Sequence, residues 1–310
     1  MPATQARKRD FLSMADLEPT ALLELLEAAA RLKAAPRGDR LAGMTLALVF
    51  EKPSLRTRLS FDVAMAQQGG RAVYFAPAEV GLGTREPARD VARVLSRMVD
   101  AVALRTHEDE KLVEFAQFAS VPVINALSAG EHPCQCLADL LTIRERKGRL
   151  AGVRLAYIGD GNNVANSLLI GGATAGMEVV LACPEGYAPP ARVLAIADER
   201  ARQSGGTVRV VHDPAAAAEG ADVLYTDVWT SMGQEAEAAV RRAAFAGFTL
   251  DRRLLALAAP DAIVMHDLPA HRGEEIEDEV LEGPQSVVFD QAENRLHAQK
   301  ALLIELLGRA

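Results

Sequence analysis

Nowhere does the chain run apolar for the roughly 18 residues that a membrane span needs, and its opening, MPATQARKRDFLSMADLEP, holds no apolar stretch of signal-peptide length. A soluble, cytoplasmic protein is the expectation. Cysteine is scarce. Cys134, Cys136 and Cys183 make an odd number with no CxxC pair, which excludes a disulfide framework and offers zinc no paired thiolates. They are read as reduced thiols, Cys134 and Cys136 as small buried side chains on a helix. Positive charge is also in deficit: 34 Lys and Arg stand against 42 Asp and Glu, a net charge of -8. That balance excludes the broad basic surface of a nucleic-acid or anionic-membrane binder, while leaving room for a few arginines focused in one cleft. No internal repeat is present, and the alanine-rich turn near Ala215 to Ala218 is the one biased tract.

What is present is a globular composition, 49% hydrophobic and 25% charged, over 310 residues. That is about twice the usual domain length, so two domains are expected, each able to bury its own core. Short runs of Val, Ile and Leu alternate with longer segments of helical period, the pattern of βαβ units around a parallel sheet. In the first half the predicted strands are 44–50, 71–75, 101–104 and 121–125, with helices over 56–67, 86–98 and 109–119. A long helix over 132–146 ends in Glu145-Arg146-Lys147-Gly148, which reads as a domain boundary. The alternation then restarts with strands 153–158, 178–182, 208–211, 223–226 and 262–265, and amphipathic helices lie at 17–32 and 294–307. The predicted fold class is α/β: two domains, each with a parallel sheet flanked by helices, joined by long interdomain helices. The domains are expected over 1–147 and 148–290, with a C-terminal helix, 291–310, packing back on the first.

The most informative segment is Phe50-Glu51-Lys52-Pro53-Ser54-Leu55-Arg56-Thr57-Arg58. A strand ends, a proline-containing turn follows, and a helix begins at about Leu55 with Ser54 as N-cap. The free N–H groups and partial positive charge of a helix start already favour an anion. Two hydroxyls and two forked guanidinium groups added there suit phosphate oxygens. A cap and solvated arginines would explain each part singly, but two more charges beside a positive helix end argue for a bound anion. Past the later strand and at the next helix start, Arg105, His132 and Gln135 lie where open α/β sheets bind ligands.

The segment 50–58 closely resembles the carbamoyl-phosphate loop of the aspartate and ornithine carbamoyltransferases. His132-Pro133-Cys134-Gln135 resembles the second signature of that superfamily, its cysteine leaning towards the ornithine enzymes. The resemblance continues in family order through Gly159-Asp160-Gly161-Asn162-Asn163, Asp227-Val228-Trp229-Thr230-Ser231-Met232-Gly233 and His266-Asp267-Leu268-Pro269-Ala270-His271-Arg272. The turn at Gly159 to Gly161 lacks the full GxGxxG of a dinucleotide fold.

That resemblance implies carbamoyl transfer from carbamoyl phosphate to the δ-amine of L-ornithine, without cofactor or metal, in a homotrimer or a multiple of trimers. It implies that carbamoyl phosphate is bound by Ser54, Leu55, Arg56, Thr57, Arg58, Arg105, His132, Gln135, Leu268 and Arg295. Ornithine falls to Asn163, Asp227, Ser231 and Met232, and the catalytic roles to Arg105, His132 and Asp267. The chemistry agrees: attack by an amine pushes charge onto the carbonyl oxygen, so donors aimed at that oxygen are needed. Asp227 suits an α-ammonium, while Asn163 and the Ser231 turn offer neutral donors to an α-carboxylate. Two rival readings remain, a carbamoyltransferase for another amine and a catalytically silent binding module.

Three positions depart from the family pattern. Asp267 stands where most ornithine enzymes have a cysteine touching the reacting amine. An anion within about 4 Å would favour the ammonium by a few kcal/mol at an effective dielectric of about 20, opposing loss of its proton, or would accept that proton as a base. Both roles stay open. Gly81 replaces a common glutamine in a loop that serves a neighbouring subunit, with Arg85 as a candidate substitute cation. Leu55 replaces a common threonine, removing a hydroxyl but keeping the backbone N–H.

Overall fold

The structure, a computed structural model, describes residues 8–308 apart from Met232, Gln234 and the side chain of Glu235. In chain order the elements are α1 (Pro19–Ala34), β1 (Thr45–Phe50), α2 (Leu55–Gln67), β2 (Arg71–Phe75), α3 (Pro77–Val80), α4 (Ala88–Leu95), β3 (Ala101–Arg105), α5 (Asp109–Phe118), β4 (Val123–Leu127) and α6 (Pro133–Lys147). They continue with β5 (Arg154–Ile158), α7 (Asn163–Thr174), β6 (Glu178–Ala182), α8 (Ala191–Ser204), β7 (Thr207–Val211), α9 (Pro214–Ala218), β8 (Val223–Thr226), α10 (Ala238–Ala244), α11 (Arg252–Leu255), β9 (Ile263–His266), α12 (Asp278–Leu281) and α13 (Val288–Leu307). Among the described residues no helix is long and apolar enough to cross a membrane.

Contacts divide the chain into two compact units. The first comprises the described parts of Met1–Asp16, Glu24–Cys134 and Arg295–Ala310; the second comprises Leu17–Leu23 and Gln135–Asn294. Each is built on its own wholly parallel sheet, in the order β2-β1-β3-β4 and β7-β6-β5-β8-β9 respectively.

Central strands of a helix-covered parallel sheet are buried on both faces, which is why β1 reads Thr-Leu-Ala-Leu-Val-Phe with every residue buried. The edge strands β2 and β7 alternate exposed and half-buried residues instead. In the first unit Ala47, Val49, Val102, Leu104 and Val123 pack with Val91, Leu95, Leu112 and Phe115. In the second, Ile158, Val180, Leu224 and Val264 pack with Trp229, Phe245, Phe248 and Leu250. Each Val, Leu, Ile or Phe side chain among them contributes about 1.5–3 kcal/mol on leaving water.

Prolines explain two shifted boundaries. The strand expected from Val121 begins at Val123, because Pro122 has no N–H and contributes only its carbonyl, which accepts from Val102 N (3.0 Å). The helix expected from Glu86 begins at Ala88 with Pro87 as its N-cap, and it ends by Ser96, whose hydroxyl donates back to Ala92 O (2.6 Å).

Both sheets reverse their winding direction once. In the first unit the switch lies between β1 and β3, where Phe50 is the register partner of Arg105. In the second it lies between β5 and β8, where Tyr157 is the register partner of Tyr225. The carboxyl ends of strands at such a switch form the natural crevice of an open α/β sheet.

Candidate functional site

The first crevice is lined with positive charge around a buried, neutral imidazole. Ser54 caps α2: its Oγ accepts from Thr57 N (3.3 Å), and its hydroxyl donates to Thr57 Oγ1 (3.0 Å). Thr57 is buried, and its Oγ1 also accepts from Nη2 of Arg295 on α13 (3.0 Å). With two donors already on that oxygen, the Thr57 proton is left to donate onward. Arg105 closes β3, and His132 stands just before α6. Burial lowers the His132 pKa well below its usual value, and the charges of Arg295, Arg105 and Arg56 lower it further. The charges of all three guanidinium groups are therefore felt at this one ring.

Arg295 is itself held from behind by Gln299, one turn along α13. Turned so that both ends of its amide are satisfied, Gln299 accepts from Arg295 Nη2 (3.2 Å) and donates to Arg295 O (3.1 Å) and to the Ser60 hydroxyl. The neighbouring Cys134 thiol is buried, and burial pushes its pKa up to about 12, which keeps it inert.

The second crevice is negative. Asn162, rather than Asn163, is the N-cap of α7, accepting from Val164 N (3.0 Å) and Ala165 N (3.1 Å), while its amide donates to Asp227 Oδ2 (2.7 Å). Tyr157 donates to the same amide oxygen (3.3 Å). Asp227 follows β8 and Asp267 follows β9, neighbouring strands on which Thr226 pairs with His266. Burial, and then the charge of Asp267, raise the Asp227 pKa well above the usual carboxylate range. Two carboxyls so close in a low-dielectric site cannot both ionise cheaply without a cation.

Ligand atoms of Asp227, His266 and Asp267 lie within 4.8 Å of one another, a spacing that a metal ion could use. The imidazole argues against it. His266 Nδ1 accepts from Leu268 N (2.9 Å) and Nε2 faces Glu275 Oε1 (3.1 Å), so both ring nitrogens are committed. Burial disfavours a charged His266, yet Asp267 and Glu275 outweigh it and push the pKa up to about 9. The geometry sets a limit on that pull: protonating Nδ1 would require breaking the bond from Leu268, so this arrangement is the neutral tautomer with its proton on Nε2. Leu268 is held in the left-handed region (φ 58°) by the same turn, ahead of a cis bond to Pro269.

Two family models match the chain, and together they span almost all of it. The carbamoyl-P binding domain of aspartate/ornithine carbamoyltransferase matches residues 9–145, and the Asp/Orn binding domain matches residues 151–306. The chain belongs to the aspartate/ornithine carbamoyltransferase family. The ornithine carbamoyltransferase of Acidothermus cellulolyticus is 60% identical over 308 residues, covering 97% of each chain. The anabolic ornithine carbamoyltransferase of Pyrococcus furiosus is 50% identical over 304 residues, covering 97% of this chain and 96% of that one. A solved structure of ornithine carbamoyltransferase from the same organism superimposes with a TM-score of 0.94 at 49% identity, covering 97% of each chain.

Within this carbamoyltransferase scaffold the residues singled out from sequence are distributed unevenly. Ser54, Arg56, Thr57, Arg105, His132 and Arg295 gather in the first unit. Arg58 turns elsewhere: it is exposed and its guanidinium sits 4.0 Å over the Tyr74 ring. Leu55 is 76% exposed, so only its backbone N–H suits an anion. Gln135 belongs to the second unit, bonded to Asp139 Oδ1 (2.8 Å). Asp227, Asp267 and Leu268 gather there, with Asn163 at the first turn of α7 and Ser231 half-buried after Trp229. Met232 lies outside the described residues.

Arg85 is exposed and donates to Glu79 O (3.2 Å). Gly81 is in the left-handed region (φ 57°), and a Cβ there would come within 2.8 Å of the Arg85 Cβ, so this loop leaves no room for a side chain at 81.

Sequence reasoning missed Asn162, Gln299 and Arg241. Arg241 on α10 is buried, paired with Asp160 Oδ2 (2.7 Å) and donating to Trp229 O (2.9 Å), so it ties the turn after β5 to the turn after β8. Only its place in an otherwise alanine-rich helix, Ala238–Ala244, could have marked it.

Proposed function

We propose that the chain carries the carbamoyl group of carbamoyl phosphate to the δ-amine of L-ornithine, releasing L-citrulline and phosphate. The observation that carries this reading is the neutral His132 imidazole beside Arg56, Arg105 and Arg295 in a family whose relatives bear that activity's name. The α2 N-terminus and the guanidinium groups hold the phosphate dianion. His132, kept neutral, donates an N–H to the carbamoyl oxygen without adding a proton that the reaction would have to remove. The amine nitrogen attacks the carbonyl carbon, the amine loses a proton, and the bond from carbon to the phosphate oxygen breaks. The departing charge is met by arginines already in place.

The acceptor side supports an amino acid. A carboxyl pair that resists double ionisation becomes favourable when an ammonium enters, so the buried Asp227 is assigned the α-ammonium, and the α-carboxylate is assigned to Asn163, Ser231 and Met232. Asp267 is assigned to the reacting amine, where it accepts the proton lost on attack. The proposal extends to the anabolic direction, the word in the name of the Pyrococcus relative, to a cytoplasmic location, and to the homotrimer or multiple of trimers that the family resemblance implies. The test is citrulline formation from carbamoyl phosphate with ornithine, acetylornithine, putrescine and aspartate in parallel. Ornithine should give the largest kcat/KM by far; turnover with another amine alone moves the assignment to that amine, and binding of carbamoyl phosphate without any product leaves a silent binding module.

A further inference from the structure

Glu275 is 0% exposed, and only one of its two carboxylate oxygens is met by donors. Oε1 accepts from His271 N (2.5 Å) and faces His266 Nε2 (3.1 Å). Oε2 is buried and has no hydrogen-bond partner. Among the described residues the ion-pair partners of Glu275 are the imidazoles of His266 and His271, and no lysine or arginine pairs with it. A carboxylate oxygen taken out of water and left unmet is costly, so this atom points to a partner that enters from outside.

The turn just ahead of it brings two more ligands to the same place. Glu274 N donates to His271 O (2.9 Å) and Gly273 N to Ile276 O (2.9 Å), a tight reversal for which Gly273 takes the left-handed region (φ 86°). Donor atoms of His271, Glu274 and Glu275 thereby come within 4.8 Å of one another, and His271 Nδ1 stands 4.0 Å from the unmet Glu275 Oε2. All three residues belong to the second unit.

An ion set among these atoms lies within about 2.8 Å of each, and zinc bonds at about 2.0–2.2 Å, so each donor need move by less than about 1 Å. His271 can make that movement: its side chain is 51% exposed, and neither ring nitrogen makes a hydrogen bond among the described residues. This is the difference from the cluster of Asp227, His266 and Asp267, whose imidazole has both nitrogens committed. Glu274 Oε1 accepts from Arg242 Nη1 (3.3 Å), an exposed pair of the kind that holds weakly and leaves the other oxygen for an ion.

We propose that His271, Glu274 and Glu275 form a binding site for one zinc-class divalent cation, which clasps the turn between β9 and α12. The donor set selects the ion: magnesium and calcium take oxygen ligands, six or more of them, whereas one imidazole, two carboxylates and a water complete the tetrahedron of zinc. Glu275 meets the ion through Oε2 while Oε1 keeps His266, the arrangement in which a ligating carboxylate is itself held by an outer hydrogen bond. The site takes no part in carbamoyl transfer and does not depend on that reading.

The experiment titrates the full chain, freed of metal by dialysis against a chelator, with zinc chloride in a calorimeter. One ion per chain should bind, and magnesium chloride should give no binding heat. Glu275→Gln and His271→Ala should weaken zinc by more than about 100-fold, the upper range for loss of a mere outer partner, and Glu274→Ala by at least about tenfold. His271 and Glu274 are partly exposed, so their alanine variants keep the test open should the buried variant fail to fold. Asp227→Asn should bind zinc within about threefold of the wild type. Zinc at 100 times its Kd should raise the melting temperature by roughly 5 °C in the wild type and leave it unmoved in His271→Ala.

A wild type that binds no zinc, or binds magnesium as tightly, overturns the proposal. So does zinc affinity unchanged in both alanine variants, which would make the ion adventitious. Loss of zinc in Asp227→Asn with retention in His271→Ala would move the ion to the other cluster and overturn it equally.

Discussion

Arg295 Nη2 donates to Thr57 Oγ1 at 3.0 Å, joining residues 238 apart in sequence. The contact places the α13 guanidinium at the N-terminus of α2, and the Ser54 hydroxyl shares the same threonine oxygen (3.0 Å). Thr57→Val removes that oxygen at nearly constant volume. The KM for carbamoyl phosphate should rise and kcat/KM fall by about 10–100-fold, the range expected for hydrogen bonds involving a charged group, with the melting temperature nearly unchanged. Unaltered kinetics in the valine variant would remove Thr57 and its bond to Arg295 from the donor site.

His132 contributes a pH dependence of defined sign. Its folded pKa is lowered by burial and by three arginines, so the folded state binds fewer protons at this ring than the unfolded chain, whose imidazole titrates near 6.5. The stability linked to it is fully present above about pH 6.5 and is lost as pH falls through that value. Thermal melts from pH 7.5 to 5 should show this loss, reduced in His132→Asn. An identical slope in the asparagine variant would count against a neutral buried imidazole.

Asp227 acts in the opposite sense. Its raised pKa means that the folded state keeps a proton that the unfolded chain releases near 3.8, so its contribution weakens as pH climbs from there through the folded value. Asp227→Asn should therefore raise the melting temperature of the ligand-free protein at pH 7–8 by roughly 2–4 °C, as relief of about 1 kcal/mol would. The same variant should lose the thermal shift that ornithine produces in the wild type. A drop in melting temperature would show that the ionised carboxylate stabilises this site.

Asp267 is assigned the reacting amine, next to Asp227 and 3.5 Å from His266 Nδ1. Asp267→Cys replaces a carboxylate by a thiol that is neutral at pH 7, changing the charge beside the amine that must deprotonate. The kcat/KM profile for ornithine should shift along the pH axis, with activity retained. If both the height and the pH dependence of the profile stay as in the wild type, Asp267 is not at the reacting amine.

Arg241 pairs with Asp160 at 2.7 Å and holds the Trp229 carbonyl at 2.9 Å. Arg241→Met leaves Asp160 without its cation in a largely buried position, a loss of about 3–5 kcal/mol. Because Trp229 precedes Ser231, the KM for ornithine should rise more than the KM for carbamoyl phosphate. Denaturant melts and initial rates check both, and equal effects on the two substrates would mean that Arg241 serves stability alone.

Local chemistry made much of this protein readable in one dimension. Uninterrupted Val, Ile and Leu runs mark buried parallel strands, and Ser54 marks a helix start, because each rule links residues only a few positions apart. Five spaced signatures named the family for the same reason: each is a contiguous turn at a strand end. Tertiary structure decided what depends on direction and burial. Arg58 is as charged as Arg56, yet it lies against Tyr74 because β2 pairs beside β1. Asn162 and not Asn163 meets Asp227, since helix phase decides which asparagine caps α7. Asp139 reads as one acidic residue on an amphipathic helix until Gln291 and Tyr225, from distant strand and helix ends, close around it. Sequence determined which groups the chain carries and where its turns fall; packing alone decided which of those groups lose water together, and so which interactions become strong.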